Sequence, residues 1–185
     1  MVDLTRGDVA ALTKGIAIPA SVGFFFNTMY NVVDTYFAGL LEPLALAALS
    51  LSFPVFFILI ALGNGISTGT TALIANELGQ KNKEQARVYA TQAISYGIIL
   101  SIIITVAGVV STSSLFRIFG ASGEYLDMTL IYIDTLLFGS VFILMTFILN
   151  ASLNAVGNTK TYRNFLIAGF IMNVALDPLF IFWLD

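Results

Sequence analysis

Three aspartates, Asp34, Asp134 and Asp177, stand inside long apolar stretches that contain no lysine or arginine. A charged side chain at the centre of a bilayer costs about 2.5–3.5 kcal/mol on insertion scales, so acidic residues in membrane helices mark functional sites by default. Because no basic side chain in the same stretches can neutralise them, each acid must be protonated, hold a bound cation or face water. These carboxylates are the first candidates for chemistry.

Two of the three acids belong to polar stripes with helical spacing. Asn27, Asn31 and Asp34 are spaced four and three residues apart, and Asn173 and Asp177 are four apart. Residues at these spacings share one face of a helix. Carboxylate and amide oxygens on one face form a cluster that suits a cation.

Prolines occur in the same two stretches. Pro19 precedes the first stripe, and Pro178 directly follows Asp177. A proline inside a helix removes a backbone hydrogen bond and kinks the chain, so we expect a kink at Pro19 and unbonded carbonyls at Gly15 and Val174. A free carbonyl beside a carboxylate and an amide adds another oxygen to the predicted cation cluster.

The alternative is that these polar residues only hold helices together within the membrane. We favour that interpretation for Asp134, which lies near the outer end of its stretch. For Asn27 and Asn150 the structural and functional interpretations are equally open. For Asp34, Asn173 and Asp177 together, the functional interpretation is favoured.

The composition places these acids in a membrane protein. Of 185 residues, 58% are hydrophobic and 10% are charged, and the mean hydropathy is +0.92; a soluble chain is roughly a quarter charged. The net charge of −3 predicts no nucleic-acid partner. The absence of cysteine and histidine excludes thiol nucleophiles, Cys/His zinc sites and a Ser-His-Asp triad, so no enzyme is predicted.

Five stretches reach the roughly 20 apolar residues that a membrane-spanning helix needs: 16–40, 45–75, 88–110, 130–153 and 165–184. If the N-terminus is cytoplasmic, every basic residue except Arg117 lies on the inside, as the positive-inside rule requires. Counted from the inside, Asp34 lies roughly 27 Å and Asp177 roughly 18 Å into their spans. Both fall in the outer half, and the two acids can meet. The predicted fold is an all-α, polytopic membrane protein with a cytoplasmic N-terminus.

With these features in place, the chain resembles the N-terminal half of a multidrug and toxic compound extrusion (MATE) transporter, closest to the DinF-like prokaryotic branch. The resemblance covers essentially the whole chain and rests on Pro19 and five segments in order: 31–39 (NVVDTYFAG), 77–86 (ELGQKNKEQA), 115–121 (LFRIFGA), 153–160 (LNAVGNTK) and 173–180 (NVALDPLF).

The resemblance implies twelve helices in two six-helix lobes that work by alternating access. It implies a cation-coupling site in the N-terminal lobe, with Asp34 and Asp177 as its carboxylates and Asn173 as an adjacent ligand. Pro19 would be the kink where the first span bends as protonation changes. The residues that the resemblance marks as candidates for the substrate cavity are Tyr30, Asn31, Tyr132 and Asn150.

The function so implied is antiport: export of organic, often cationic and aromatic drugs, coupled to H⁺ or Na⁺. No cofactor is expected, and no metal beyond a possible Na⁺ at Asp34, Asn173 and Asp177. The expected partners are drug molecules, the lipid bilayer and a C-terminal lobe, and the expected location is the inner (plasma) membrane of a prokaryote.

The sequence holds five spans as a single transmembrane N-terminal lobe, residues 1–185, whereas such a lobe has six. We interpret it as a fragment, or as a product that a separately encoded second half completes. Two alternatives remain open: a non-transporting assembly module, and a lipid-precursor flippase of the same superfamily. The lack of basic residues in the spans counts against the flippase, because pyrophosphate needs cations.

Overall fold

The computed structural model describes residues 8–183, which form six α-helices. In chain order they are α1 (Val9–Leu41), α2 (Pro43–Gly79), α3 (Lys83–Ile118), α4 (Gly123–Phe138), α5 (Ser140–Ala155) and α6 (Thr159–Phe182). Asp8, Asn82 and Asn158 cap α1, α3 and α6 by accepting hydrogen bonds from first-turn N–H groups. Such caps satisfy donors that have no partner within the helix.

The predicted span over 130–153 falls on two helices. α4 and α5 meet at Gly139 with a bend of 43°. Hydropathy does not register this break, because the residues on both sides of it are apolar. Four of the described helices are long and apolar enough to cross a membrane, and a fifth span results if α4 and α5 count as one.

The helices also extend beyond the predicted spans. α1 begins at Val9 rather than near residue 16, and α3 continues to Ile118 rather than ending near 110. Hydropathy marks only the part of a helix that lies in hydrocarbon, whereas the hydrogen-bonded backbone continues into the interface and water. The basic residues Lys14, Arg87 and Arg117 therefore lie on helix ends.

The helices group into two compact units. The first comprises the described parts of Met1–Glu42 and Leu153–Asp185, and the second comprises Pro43–Ser152. In the first unit, α1 packs along α6, and the two helices run parallel, in the same direction. The Thr159 hydroxyl donates to the Ile16 carbonyl at 3.4 Å, and the rings of Phe26 and Phe170 lie 5.4 Å apart.

The second unit is built around helices α2, α3, α4 and α5. Its core contains five buried side chains: Phe116, Ala121, Leu126, Ile133 and Leu137. Glycines allow close helix packing, because the rings and branches of facing residues lie where a Cβ would be; Gly63 faces Phe147, and Gly108 faces Leu137. Small residues at contacts are typical of helices that pack in membranes.

Large apolar side chains stay exposed on the outside of the helices. Val110 is 76% exposed, Ile118 80% and Phe142 75%. Water would penalise such a surface, whereas lipid chains are as apolar as the side chains themselves. The exposed surface therefore agrees with a membrane environment.

Candidate cation site

The parallel packing of α1 on α6 brings the two predicted polar stripes together. Gly23 lies directly against α6: a Cβ added there would sit 3.1 Å from Leu166 Cδ1 and 3.4 Å from the Arg163 Cα. Three helical turns further along, Asp34 reaches the level of Asn173. The close approach at Gly23 thus aligns the acid of one helix with the amide of the other.

Asn173 is the centre of the site. Its side-chain Nδ2 donates to Asp34 Oδ1 at 2.7 Å and to Asp177 Oδ1 and Oδ2, each at 3.0 Å. The residue is only 6% exposed, and within residues 8–183 its Oδ1 atom has no hydrogen-bond partner. A buried amide therefore bridges two carboxylates from different helices and keeps one oxygen available.

The two carboxyl groups also lie close to each other. Oxygen atoms of Asp34 and Asp177 lie 2.7 Å and 3.0 Å from the same Asn173 Nδ2 atom. Each aspartate is half-buried. Two negative charges at this separation repel strongly in a low dielectric, so a proton or a bound cation stabilises the pair.

The basic residues of α1 and α6 lie far from these acids. Lys14 is twenty residues before Asp34 on α1, and Arg163 is fourteen residues before Asp177 on α6, which corresponds to roughly 30 Å and 21 Å along the helices. The Arg163 guanidinium donates instead to Asn164 Oδ1. The carboxylate pair is thus left without a neighbouring side-chain cation from α1 or α6.

Tyr30 lies beside the cluster formed by Asp34, Asn173 and Asp177. Its hydroxyl is near enough to interact with the Asn173 amide and with both carboxylates, while the residue remains 39% exposed. The sequence prediction assigns Tyr30 to the substrate cavity. The structure places it next to the predicted cation ligands, at the boundary between the cluster and the surface of its unit.

Pro19 is buried within α1, which continues through it. The Thr159 hydroxyl bonds the carbonyl of Ile16, next to the Gly15 carbonyl that the proline deprives of a helical partner. Pro178 likewise lies inside α6, which continues to Phe182. Both prolines sit in continuous helices that flank the cluster.

The other residues predicted to contact substrate lie outside the cluster of Asp34, Asn173 and Asp177. Asn31 is exposed, and its amide donates to the Asn27 carbonyl of its own helix at 2.9 Å. Tyr132, 38% exposed on α4, and Asn150, half-buried on α5, belong to the second unit. In the described part of the chain, Oδ1 of Asn150 is buried without a hydrogen-bond partner, as is Oδ1 of Asp134.

Sequence reasoning missed one polar group in the second unit. The hydroxyls of Thr105 and Ser140 lie 3.1 Å apart at the bend between α4 and α5, and Ser140 also donates to the Ser101 carbonyl. Serine and threonine are common in membrane helices, and these residues are more than thirty positions apart. No spacing rule links them.

Comparisons with known proteins agree with this architecture. The MatE family model matches residues 19–179. The chain is 30% identical over 170 residues to the Multidrug export protein MepA of Staphylococcus aureus (strain bovine RF122 / ET3-1), covering 91% of this chain and 38% of that protein.

Solved structures match with similar coverage. One, described as "Crystal structure of MATE in complex with MaD5", has a TM-score of 0.92 and 34% identity, over 100% of this chain and 42% of the other. Another, a MOP superfamily transporter from Pyrococcus furiosus described as having a binding pocket of reverse polarity, has a TM-score of 0.91 and 34% identity over 97% and 40%. The chain thus spans about two fifths of the length of these relatives.

Proposed function

The chain belongs to the MatE family and has the N-terminal half of the MATE fold, and from this we propose that it serves cation-coupled export of organic compounds. In this proposal the exported molecules are often cationic and aromatic, and H⁺ or Na⁺ moves in the opposite direction. The activity belongs to a two-lobe assembly, of which the chain supplies the part with the coupling site.

The observation that carries the proposal is the Asn173 bridge between Asp34 and Asp177. The cluster holds two acids and no side-chain cation from its own helices, so it gains stability by taking up a proton or Na⁺. For Na⁺, the carboxylate oxygens and the unbonded Oδ1 of Asn173 are oxygen ligands of the right kind. For H⁺, the neighbouring carboxyl groups can share one proton.

The link to transport runs through α1. The outer part of α1 is joined to α6 by the hydrogen bond between the Asn173 amide and the Asp34 carboxylate, which can gain a proton. Its inner part is joined by groups that do not ionise: the contact of Gly23 with Leu166 and the hydrogen bond from the Thr159 hydroxyl to the Ile16 carbonyl. Neutralising the acids changes the outer contact and leaves the inner one intact. The expected result is a bend at Pro19 that reshapes the substrate cavity and releases the substrate outward.

We place substrate contacts at Tyr30, Asn31, Tyr132 and Asn150. Tyrosine rings attract organic cations through their π faces, and amide groups orient polar substituents. Tyr30 is of particular interest because it lies beside the carboxylates. A substrate cation near Tyr30 and a coupling ion at Asp34 would compete for the same negative charge, which is the basis of exchange.

The proposed location is the plasma membrane of a prokaryote, with the N-terminus in the cytoplasm. The proposed partners are the lipid bilayer, drug substrates and a C-terminal lobe. No cofactor other than the coupling ion has a part in this mechanism.

The test is transport by a protein in which this chain is completed by a second lobe and reconstituted in vesicles. Asp34→Asn and Asp177→Asn should each abolish efflux driven by a pH or Na⁺ gradient, because an amide can neither gain a proton nor carry the charge that binds Na⁺. Glu124→Gln, on an exposed position of α4, is the matched control. Normal coupled efflux in both Asp variants would rule the assignment out.

A second candidate function is that of an assembly module that does not itself transport. It predicts that the 185-residue chain is stable and binds a partner lobe, yet shows no Na⁺- or pH-dependent dye binding. The flippase alternative is less favoured, because the carboxylate cluster would repel pyrophosphate.

A further inference from the structure

Three hydroxyl residues surround the bend between α4 and α5, and we refer to Ser101, Thr105 and Ser140 as the hydroxyl cluster. The Thr105 hydroxyl donates to the Leu137 carbonyl at 2.6 Å and lies 3.1 Å from Ser140 Oγ. Ser140 Oγ donates to the Ser101 carbonyl at 3.3 Å. Ser140 is 0% exposed and Ser101 3%, whereas Thr105 is half-buried, so the Ser140 side of the cluster is enclosed within the second unit.

The hydroxyls of Thr105 and Ser140 donate hydrogen bonds to backbone carbonyls at the break between α4 and α5. In a continuous helix the Leu137 carbonyl would accept from the Val141 N–H. Inside a membrane no water can replace such a bond, so non-helical backbone is tolerated only where the protein supplies a partner. The Thr105 hydroxyl donates to the Leu137 carbonyl beside the break, and the hydrogen bond from Ser140 to the Ser101 carbonyl fastens the start of α5 to α3.

Glycine alone does not explain the bend. Gly139 has φ −78° and ψ −3°, a conformation that other residues adopt. A Cβ at this position would meet the carbonyl oxygens of Thr135 and Leu136 at 3.4 and 3.5 Å, which is ordinary contact. The missing side chain of Gly139 therefore does not account for the bend.

We propose that Thr105 and Ser140 are positioning residues: their hydroxyls hold the bend between α4 and α5, and the bend sets where Tyr132 and Asn150 lie relative to each other. This inference rests on the proposed function, in which those two residues contact the substrate. Tyr132 is seven residues before Gly139, and Asn150 is eleven residues after it.

The size of the effect follows from the geometry. Asn150 lies roughly 16 Å beyond the bend at the helical rise per residue. Removing a bend of 43° would move it sideways by roughly 12 Å with α4 held fixed. This distance exceeds the length of any side chain, so one substrate could not contact both residues in the same way in the straight and bent forms.

The first experiment measures the bend in the full 185-residue chain in lipid nanodiscs. The chain contains no cysteine, so Glu124→Cys with Leu149→Cys allows one pair of spin labels, both at exposed sites. In Thr105→Val, and in Ser140→Ala as a second variant, the distance between labels should lengthen by about 2–3 Å as the helices straighten.

Three controls accompany this measurement. Thr105→Ser keeps the hydroxyl and should restore the original distance. Thr135→Val removes an exposed hydroxyl that bonds only the Ile131 carbonyl of its own helix, and should change nothing. Gly139→Ala should also leave the distance unchanged. An unchanged distance in both Thr105→Val and Ser140→Ala overturns the proposal, as does a lengthening in Gly139→Ala alone.

The second experiment measures binding of ethidium, a cationic aromatic dye, to the same chain. Thr105→Val should weaken binding at least about threefold, and Thr105→Ser should restore it. Unchanged affinity in Thr105→Val together with weakened affinity in Tyr132→Ala and Asn150→Ala overturns the positioning role alone. Unchanged affinity in all three overturns the proposed substrate contacts, and the inference with them.

Discussion

The Asn173 amide nitrogen lies 2.7 Å from Asp34 Oδ1, a contact that joins residues 139 positions apart and links α1 to α6. The same nitrogen reaches both oxygens of Asp177 one helical turn further along α6. One buried amide thus holds two acids from different helices in a single group.

Asn173→Leu is expected to disrupt this group while keeping a side chain of similar volume. Sodium affinity should fall roughly tenfold or more, because the site loses the Oδ1 ligand of Asn173 and the amide that holds the two carboxylates together. Isothermal titration with Na⁺ at several pH values measures the change.

The matched control for that variant is Asn64→Leu. The Asn64 amide is exposed and donates to the Ile60 carbonyl of its own helix. It should leave ion binding unchanged, and equal losses in the two variants would show that Asn173 has no special part in binding.

The pH dependence of dye binding should follow the carboxylate pair. Acidification places a proton on the Asp34–Asp177 group, removes negative charge and should therefore weaken the binding of a cationic dye. Binding at a series of pH values checks this expectation, with Asp34→Asn expected to bind weakly and almost independently of pH. A wild-type affinity that stays constant from neutral to acidic pH would contradict it.

Gly23→Ala should weaken the packing of α1 on α6. The added methyl group would meet Leu166 Cδ1 at 3.1 Å and the Arg163 backbone at 3.4 Å, and overpacking of this kind costs about 1–3 kcal/mol. Thermal unfolding in detergent should show the loss.

Gly39→Ala on the same helix is the control, because nothing lies within 4 Å of its added Cβ. Replacing glycine by alanine in an open helical position stabilises by about 0.5–1 kcal/mol. Gly23→Ala should therefore lower the unfolding temperature, and Gly39→Ala should raise it. A change in the same direction in both variants would argue against close packing at Gly23.

Gly157→Ala should destabilise the connection between α5 and α6. Gly157 has φ +71°, and its N–H donates to the Asn154 carbonyl at 2.9 Å where α5 ends. The left-handed conformation costs an alanine about 1–2 kcal/mol. Thermal unfolding measures the loss, and Gly157→Asn should recover part of it, because asparagine tolerates this conformation better.

Hydropathy and spacing predict much of this molecule. The apolar stretches predict where the helices cross the membrane, and the spacing of Asn173 and Asp177 predicts that they share a face. Depth counting predicts that Asp34 and Asp177 can meet, and in the structure both accept hydrogen bonds from Asn173. The face that a residue occupies and its depth along a helix depend only on its position within that helix. Both can therefore be predicted from the sequence.

Features that depend on a second helix are not predictable in this way. The bend at Gly139 lies within an apolar stretch and is held by Thr105, whose position opposite the break is set by helix packing. Tyr30 approaches the carboxylates for the same reason, since the rotation of α1 against α6 determines which neighbour it meets. Composition rules treat each span alone and hold no information on such pairings.

The two hydrogens of the Asn173 amide limit how the bridge can serve both carboxylates. An amide group carries two hydrogens, yet its nitrogen lies within bonding distance of three carboxylate oxygens. One hydrogen therefore serves Asp34, and the other is shared between the two oxygens of Asp177. A proton on one aspartate would add an O–H donor for the other carboxylate, whereas a second proton would leave the amide no negative charge to stabilise.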